Sequence, residues 1–330
     1  MADQSVLGSF VWCELLTTDT SAAAAFYKKV VGWKTAPWSH DPTYTTLVGN
    51  AGPVGGMMIL PDEAKMMGAP PNWMMYVGTP SVEDTAMRIA QLGGRVLKQP
   101  DNIPGGGRFA VAQDPQGAVF GIYTPGKPQP DKGQPGLGDF SWFELYTSNV
   151  DAAWTFYSRL FGWEKTSAMD MGDMGVYQMF GRGGGVPNGG MMKSPTGAMA
   201  WMPYAMVDDA RAAAKRATDL GAKIVNGPME VPGGDWIAQG MDPQGAMFAV
   251  HSKTPAATLR QGSGQAAKPV VTKPSAKPVA KKAPAKKTSA RKSKKTGAKK
   301  ARAAAKPQKK KATAAKKPAK KASKKSAKRR

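Results

Sequence analysis

Gly8 to Trp33 reads GSFVWCELLTTDTSAAAAFYKKVVGW, and Gly138 to Trp163 reads GDFSWFELYTSNVDAAWTFYSRLFGW. At a fixed offset of 130 the stretches agree at 12 of 26 positions, where shared composition alone gives roughly one or two. The chain is an internal duplication. Each copy opens with an apolar run and meets a helix-start residue at Asp19 or Asn149. It then carries Phe26-Tyr27 or Phe156-Tyr157 at helical spacing and stops at Gly-Trp. Each copy therefore begins as a strand followed by an amphipathic helix.

A length of 330 residues accommodates about two domains, each able to bury its own core, which is the division the duplication makes. The formal charge of +24 suggests a nucleic-acid binder until it is split by position. From His251 onward there are 29 Lys and Arg and no acid, whereas 18 basic residues face all 23 acidic ones before it. The folded part is thus mildly acidic and the basicity is a tail. The single cysteine, Cys13, excludes an intrachain disulfide, suits a reducing compartment and reads as a buried structural thiol rather than a nucleophile. MADQSV has no signal-peptide pattern, and no apolar run approaches about 18 residues. The expectation is a cytoplasmic protein without membrane attachment.

Outward from the first copy, Phe10 to Leu16 is a strand with Trp12, Glu14 and Leu16 on one face and Val11, Cys13 and Leu15 on the other. Runs at Thr43 to Val48 and Val54 to Leu60 read as strands, and Pro61 to Asn72 as a loop. A second strand-helix unit follows, Trp73 to Gly78 and then Ser81 to Leu92, stopped by Gly93-Gly94. Arg108 to Gln113 and Ala118 to Tyr123 flank Asp114-Pro-Gln-Gly117, a tight turn between antiparallel strands. After a Pro/Gly-rich linker the second copy repeats this order, with Asp242-Pro-Gln-Gly245 as its turn. Pro203, inside one of its strands, argues for an edge or a bulge.

The strand, the Ala-x-x-Phe-Tyr helix, the Gly-Trp stop and the Asp-Pro-x-Gly-Ala turn, in order in both copies over about residues 8 to 252, resemble the vicinal oxygen chelate superfamily. It groups glyoxalase I, bleomycin-resistance proteins and extradiol dioxygenases, and the chain looks most like its tandem actinobacterial members, several of them called hydroxylases. The resemblance implies an α+β fold of two tandem glyoxalase-like modules, residues 1–124 and 138–253, joined by a linker at 125–137. Four βαβββ units in all would curve around cavities, with a disordered basic tail at 254–330.

The resemblance also implies a divalent metal held by His, Gln and Glu. Carried onto this sequence, those ligand positions fall at Trp12 and Trp142, at or beside Trp73 and Trp201, and at Gly121 and Ala249. An indole offers only an N–H donor, whereas such an ion needs N, O or thiolate ligands. The expectation is no metal and no other cofactor. Of the two histidines, His40 reads as solvated surface, and His251 could face the cavity.

Glu14 and Glu144 share a face with Trp12 and Trp142. Buried there, each would need partners or a raised pKa and would be a candidate general acid/base; the plainer alternative is a salt-bridged or rim glutamate. Trp12, Trp73, Trp142 and Trp201, with Met57, Met58, Met75, Met191, Met192 and Met202, either line pockets for flat apolar ligands or simply fill a core. Tyr44 and Tyr177 could supply polar handles. The glycine clusters lie between strands, so they read as hairpins and not phosphate loops. No Ser-His-Asp or Cys-His arrangement is legible.

Residues 254–330 resemble linker-histone-like Lys/Ala/Pro tails. Their composition predicts disorder and non-sequence-specific contact with DNA or RNA phosphates, or else mere solubilisation. Three functional readings stay open. One is a metal-independent small-molecule binder or degenerate enzyme held near nucleic acid. Another is an active lyase, dioxygenase or hydroxylase with an atypical site. The last is a nucleoid-associated protein.

Overall fold

The structure, a computed structural model, describes residues 4–127 and 133–254. The tail and part of the linker lie outside the described residues. The first module runs β1 Phe10–Thr17, α1 Thr20–Val30, β2 Lys34–Trp38, β3 Asp41–Gly49, β4 Gly52–Ile59, a short α2 Asp62–Met66, β5 Asn72–Gly78, α3 Val82–Gln91, β6 Arg95–Ile103, β7 Gly107–Gln113 and β8 Val119–Pro125. The second runs β9 Phe140–Thr147, α4 Val150–Phe161, β10 Glu164–Asp170, β11 Val176–Gly181, β12 Gly189–Lys193, β13 Ala200–Met206, α5 Ala210–Asp219, β14 Lys223–Glu230, β15 Trp236–Met241 and β16 Met247–Ser252. These are the four βαβββ units expected. The reading placed a loop where α2 forms and did not mark the edge strands β2, β6, β10 and β14.

Local chemistry accounts for the helices. Asp19, Asn149, Ser81 and Asp209 each accept a hydrogen bond from an amide in the first turn of α1, α4, α3 and α5, satisfying donors the helix cannot. The buried face of α1 is Ala23, Phe26, Tyr27 and Val30, and that of α4 is Ala153, Phe156, Tyr157 and Leu160, the spacing of one helical stripe. Gly162 closes α4 in the left-handed region (φ 69°), which glycine enters without steric cost.

Each module forms one eight-stranded sheet, ordered β2-β3-β4-β1-β5-β8-β7-β6 and β10-β11-β12-β9-β13-β16-β15-β14. The central pairs, β1 with β5 and β9 with β13, are antiparallel, with Glu14 opposite Met74 and Glu144 opposite Met202. Pro203 therefore lies in a central strand, and the register slips just beyond it, between Tyr204 and Ala205. The bulge half of the expectation holds and the edge half does not.

One face of each sheet joins a single core that spans both modules, contributed by Leu15, Tyr27, Trp33 and Trp73 from the first and Leu145, Tyr157, Trp163 and Trp201 from the second. The contacts across the seam come in matched pairs. Trp33 Nε1 donates to the Gly138 carbonyl at 2.6 Å and Trp163 Nε1 to the Gly8 carbonyl at 2.9 Å. Tyr27 Oη donates to Asp242 Oδ2 at 2.9 Å and Tyr157 Oη to Asp114 Oδ2 at 3.0 Å. Phe10 and Phe143 stack with centroids 3.7 Å apart. Such reciprocity is that of a two-fold interface, realised within one chain. The opposite face of each sheet, called the open face below, carries separate smaller apolar clusters.

Candidate functional site

On the open face of the first sheet, β1 presents Trp12, Glu14 and Leu16; the neighbouring strands add Met58, Met74, Tyr76, Phe109, Val111 and Tyr123. Glu14 is 9 % exposed and Tyr76 6 %. Tyr76 Oη donates to Glu14 Oε2 at 3.0 Å. Tyr44 also donates to Glu14, and its oxygen accepts from Trp12 Nε1 at 2.9 Å. The second module repeats the chain of contacts. Trp142 Nε1 donates to Tyr177 Oη at 2.8 Å, Tyr177 reaches Glu144, and Tyr204 Oη donates to Glu144 Oε2 at 2.6 Å.

Glu14 and Glu144 are thus neither salt-bridged nor at a rim. Each is a buried carboxylate held by phenols, and no ion pair among the described residues includes either. Burial pushes the Glu14 carboxyl above its ordinary value, only partly opposed by the hydrogen bonds from Tyr44 and Tyr76. Burial, and then the adjacent carboxylate, push the Tyr44 and Tyr76 phenols up, so they stay protonated and donate.

The two sites differ in their closing residues. Where the first has Leu16 and Val111, the second has Tyr146 and Gln239. Tyr146 Oη donates to Glu144 at 2.5 Å and Gln239 Nε2 at 3.1 Å. Gln239 is anchored in turn by Asn226 Nδ2 on its oxygen at 3.2 Å. Glu144 is therefore surrounded by Tyr146, Tyr177, Tyr204 and Gln239, whereas Glu14 meets Tyr44 and Tyr76 alone and keeps apolar neighbours. Nothing in the sequence marked Gln239, since its role depends on β15 lying beside β16.

Several expected placements are corrected. Trp73 and Trp201 do not share the open face. They lie in the common core, donating to Tyr27 Oη at 3.0 Å and Tyr157 Oη at 2.9 Å. Strand alternation sends them there and sends Met74, Tyr76, Met202 and Tyr204 to the open face instead. Met57, Met75 and Met191 follow the tryptophans into the core. His251, as expected, does share the open face, paired with Ile237 across β15, with Nδ1 2.9 Å from Ser141 Oγ and Nε2 2.9 Å from Asp235 Oδ2. A Ser-His-Asp arrangement thus exists although none was legible. His40 is exposed in the turn between β2 and β3. A groove of about 390 Å³ lies at the seam of the modules, between Leu92, Pro115, Gln116, Phe156 and Arg159. Its lining holds no carboxylate or imidazole.

The family's metal does not fit the residues present. Gly121, at the expected glutamate position, has no room for a side chain, because a Cβ there would stand 2.1 Å from the Tyr76 ring. Ala249 stands at the matching place, and among the described residues no three His, Cys, Asp or Glu gather.

The raised pKa of Glu14 has a sign. The folded chain holds that proton to higher pH than the unfolded chain, whose carboxyl titrates near 4.5, so the folded state binds more protons in between and stability falls as pH rises through that window. Glu14→Gln is expected to flatten this slope and to be the more stable form at pH above it, by about 1.4 kcal/mol per pKa unit of displacement. Urea midpoints measured against pH check this. Parallel profiles for the two proteins would contradict it.

Comparison with known proteins agrees with this architecture. The Glyoxalase-like domain family matches residues 11–123, and the Glyoxalase/Bleomycin resistance protein/Dioxygenase superfamily matches residues 139–250. The anthracycline biosynthesis protein DnrV of Streptomyces peucetius is 30 % identical over 74 % of this chain and 92 % of its own length. DauV of a Streptomyces species is 29 % identical over the same shares. In fold, the chain resembles the Mn(II)-bound glyoxalase from Novosphingobium aromaticivorans, with a TM-score of 0.52, 16 % identity and coverage of 74 % of this chain and 82 % of the other. It also resembles the 2,3-dioxygenase LapB from a Pseudomonas species, with a TM-score of 0.53, 11 % identity and coverage of 75 % and 93 %. With both modules matched and relatives aligned along nearly their whole length, the chain belongs to the glyoxalase/bleomycin resistance protein/dioxygenase superfamily.

Proposed function

We propose that this chain binds a flat, largely apolar aromatic molecule on the open face of the first module without a divalent metal, and that Glu14 exchanges a proton with it. The observation that carries this reading is Glu14 itself, a buried carboxylate facing half-buried Trp12, Tyr44, Phe109 and Tyr123 and in no ion pair among the described residues. A buried carboxyl whose pKa is raised by desolvation suits proton transfer, and aromatic walls suit a planar ligand. The relatives named for anthracycline biosynthesis support such a ligand, since an anthracycline is a fused-ring aromatic. Glu144, already satisfied by Tyr146, Tyr177, Tyr204 and Gln239, serves to hold its sheet.

The lysine-rich residues 254–330 support a second element of function, contact with nucleic-acid phosphates that keeps the modules near DNA or RNA. One experiment addresses both elements, using the full chain and a chain ending at Thr254. Titration with the hydroxyanthraquinone quinizarin is expected to quench tryptophan fluorescence saturably in both chains, unchanged by EDTA. Trp12→Ala should weaken it about tenfold. Duplex DNA should bind only the full chain, with log affinity falling steeply against log salt. Quenching that vanishes with EDTA, or that Trp12→Ala leaves untouched, would overturn the ligand reading, and equal DNA binding by the shorter chain would overturn the tail reading.

A further inference from the structure

The second module departs from the first along one edge of its open face. The register of β9 on β13 pairs Phe140 with Ala205 and Trp142 with Tyr204, so Ser141 is the extra residue of a bulge, a device that re-aims a side chain. His251 stands on the closing strand β16, and Asp235 immediately precedes β15. Three elements thus bring Ser141 Oγ to 2.9 Å from His251 Nδ1, and His251 Nε2 to 2.9 Å from Asp235 Oδ2. The imidazole is 14 % exposed and Asp235 37 %. The matching positions of the first module are Val11, Tyr123 and Gly107, so the duplicated fold does not require this constellation.

With the imidazole neutral, the hydrogen-bond partners assign its one proton. An ionised Asp235 only accepts, so Nε2 carries the imidazole hydrogen, and Nδ1 of the neutral ring is left as an acceptor. Ser141 then donates its hydroxyl hydrogen to Nδ1. The alternative acceptor for that hydroxyl, the Tyr204 carbonyl, is farther away at 3.4 Å. A hydroxyl resting on a base that is itself oriented by a carboxylate is the arrangement that activates a serine nucleophile. Here the two ring nitrogens exchange their usual places.

We propose that Ser141, His251 and Asp235 form an acyl-transfer site acting on small esters, with Ser141 as nucleophile, His251 as base and Asp235 as the positioning residue. Ser141 Oγ bonds to the ester carbonyl carbon, the carbonyl π pair moves to its oxygen, and the serine proton passes to Nδ1. Collapse of the tetrahedral adduct breaks the bond to the alcohol oxygen, which leaves with the proton from Nδ1. Water then repeats the sequence on the acyl-serine, Nδ1 taking one of its protons and returning it to Oγ, and releases the carboxylic acid. This site is independent of Glu14.

The full chain treated with diisopropyl fluorophosphate is expected to gain one phosphoryl adduct, mapped by mass spectrometry to Ser141, and the chain unfolded in urea none. Labelling should speed up as pH rises, the mark of general-base assistance. Ser141→Ala should lose the adduct, and His251→Asn should slow labelling at least about 100-fold and lose that pH dependence. Asp235→Asn keeps a partner for the ring but offers an N–H where an acceptor stood. It should slow labelling comparably by turning the tautomer, whereas a purely structural Asp235 predicts no change. Val11 and Tyr123 in the first module show that the bulge and closing strand form without the hydroxyl or imidazole, and circular dichroism checks this for each variant. Glu14→Gln should label normally. Absence of a Ser141 adduct on the native chain, or unaltered labelling of His251→Asn, would overturn the proposal and leave the cluster as a tie between β16 and Thr254, whose amide donates to Asp235 Oδ1.

Discussion

Asp114→Ala and Asp242→Ala are each expected to destabilise the chain by about 3 to 5 kcal/mol, seen as a lower midpoint of urea unfolding. Both carboxylates are 3 % exposed. Asp114 Oδ1 accepts from the amides of Gln116, Gly117 and Ala118 at 2.7 to 2.9 Å, closing its own turn, while Oδ2 accepts from Tyr157 of the other module. Asp242 repeats this with the amides of Gln244 and Ala246 and the phenol of Tyr27. Alanine would orphan buried amides and a phenol together, and an unmet buried donor costs its full desolvation. Tyr157→Phe leaves the turn amides satisfied and should cost only about 1 to 2 kcal/mol. Because the core is common to both modules, each variant should shift one cooperative transition. Two separated transitions, or losses under about 1 kcal/mol for the aspartate variants, would contradict this account of the seam.

Gly121→Ala is expected to lose about 2 to 4 kcal/mol although it adds one methyl group. Its Cβ would lie 2.1 to 2.6 Å from three atoms of the Tyr76 ring, and Tyr76 cannot retreat without releasing Glu14. The test is a double-mutant cycle. In a Tyr76→Ala background the same substitution should be nearly neutral, giving a coupling energy close to the single loss. An equal cost in both backgrounds would place the strain elsewhere.

The sequence exposed whatever repeats locally. Helix caps, the glycine stops and the Asp-Pro-Gln-Gly turns each depend on a few consecutive residues, and all stand where the spacing put them. So do Trp12 with Glu14 and Trp142 with Glu144, because two-residue alternation along one strand needs no knowledge of its neighbours. What failed needed register. Trp73 and Trp201 were matched to a ligand position within a residue, yet one residue along a strand exchanges open face for core. The edge strands β6 and β14 went unread, carrying Pro, Asp, Asn and Gly among exposed positions. Ser141 and His251, 110 residues apart, meet only because β9 and β16 flank β13 and a bulge turns one side chain. No local pattern could announce that meeting.

The reciprocal seam has a last consequence, for evolution more than for folding. Two separate copies of one module related by such an axis would have to change together, since any substitution appears in both halves. Fusion into one polypeptide removes that constraint, and it also makes assembly independent of concentration. This chain records the freedom gained: Leu16 against Tyr146, Val111 against Gln239, and Tyr123 against His251. One half carries a sparsely held carboxylate, and the other locks its own and carries a serine, a histidine and an aspartate instead.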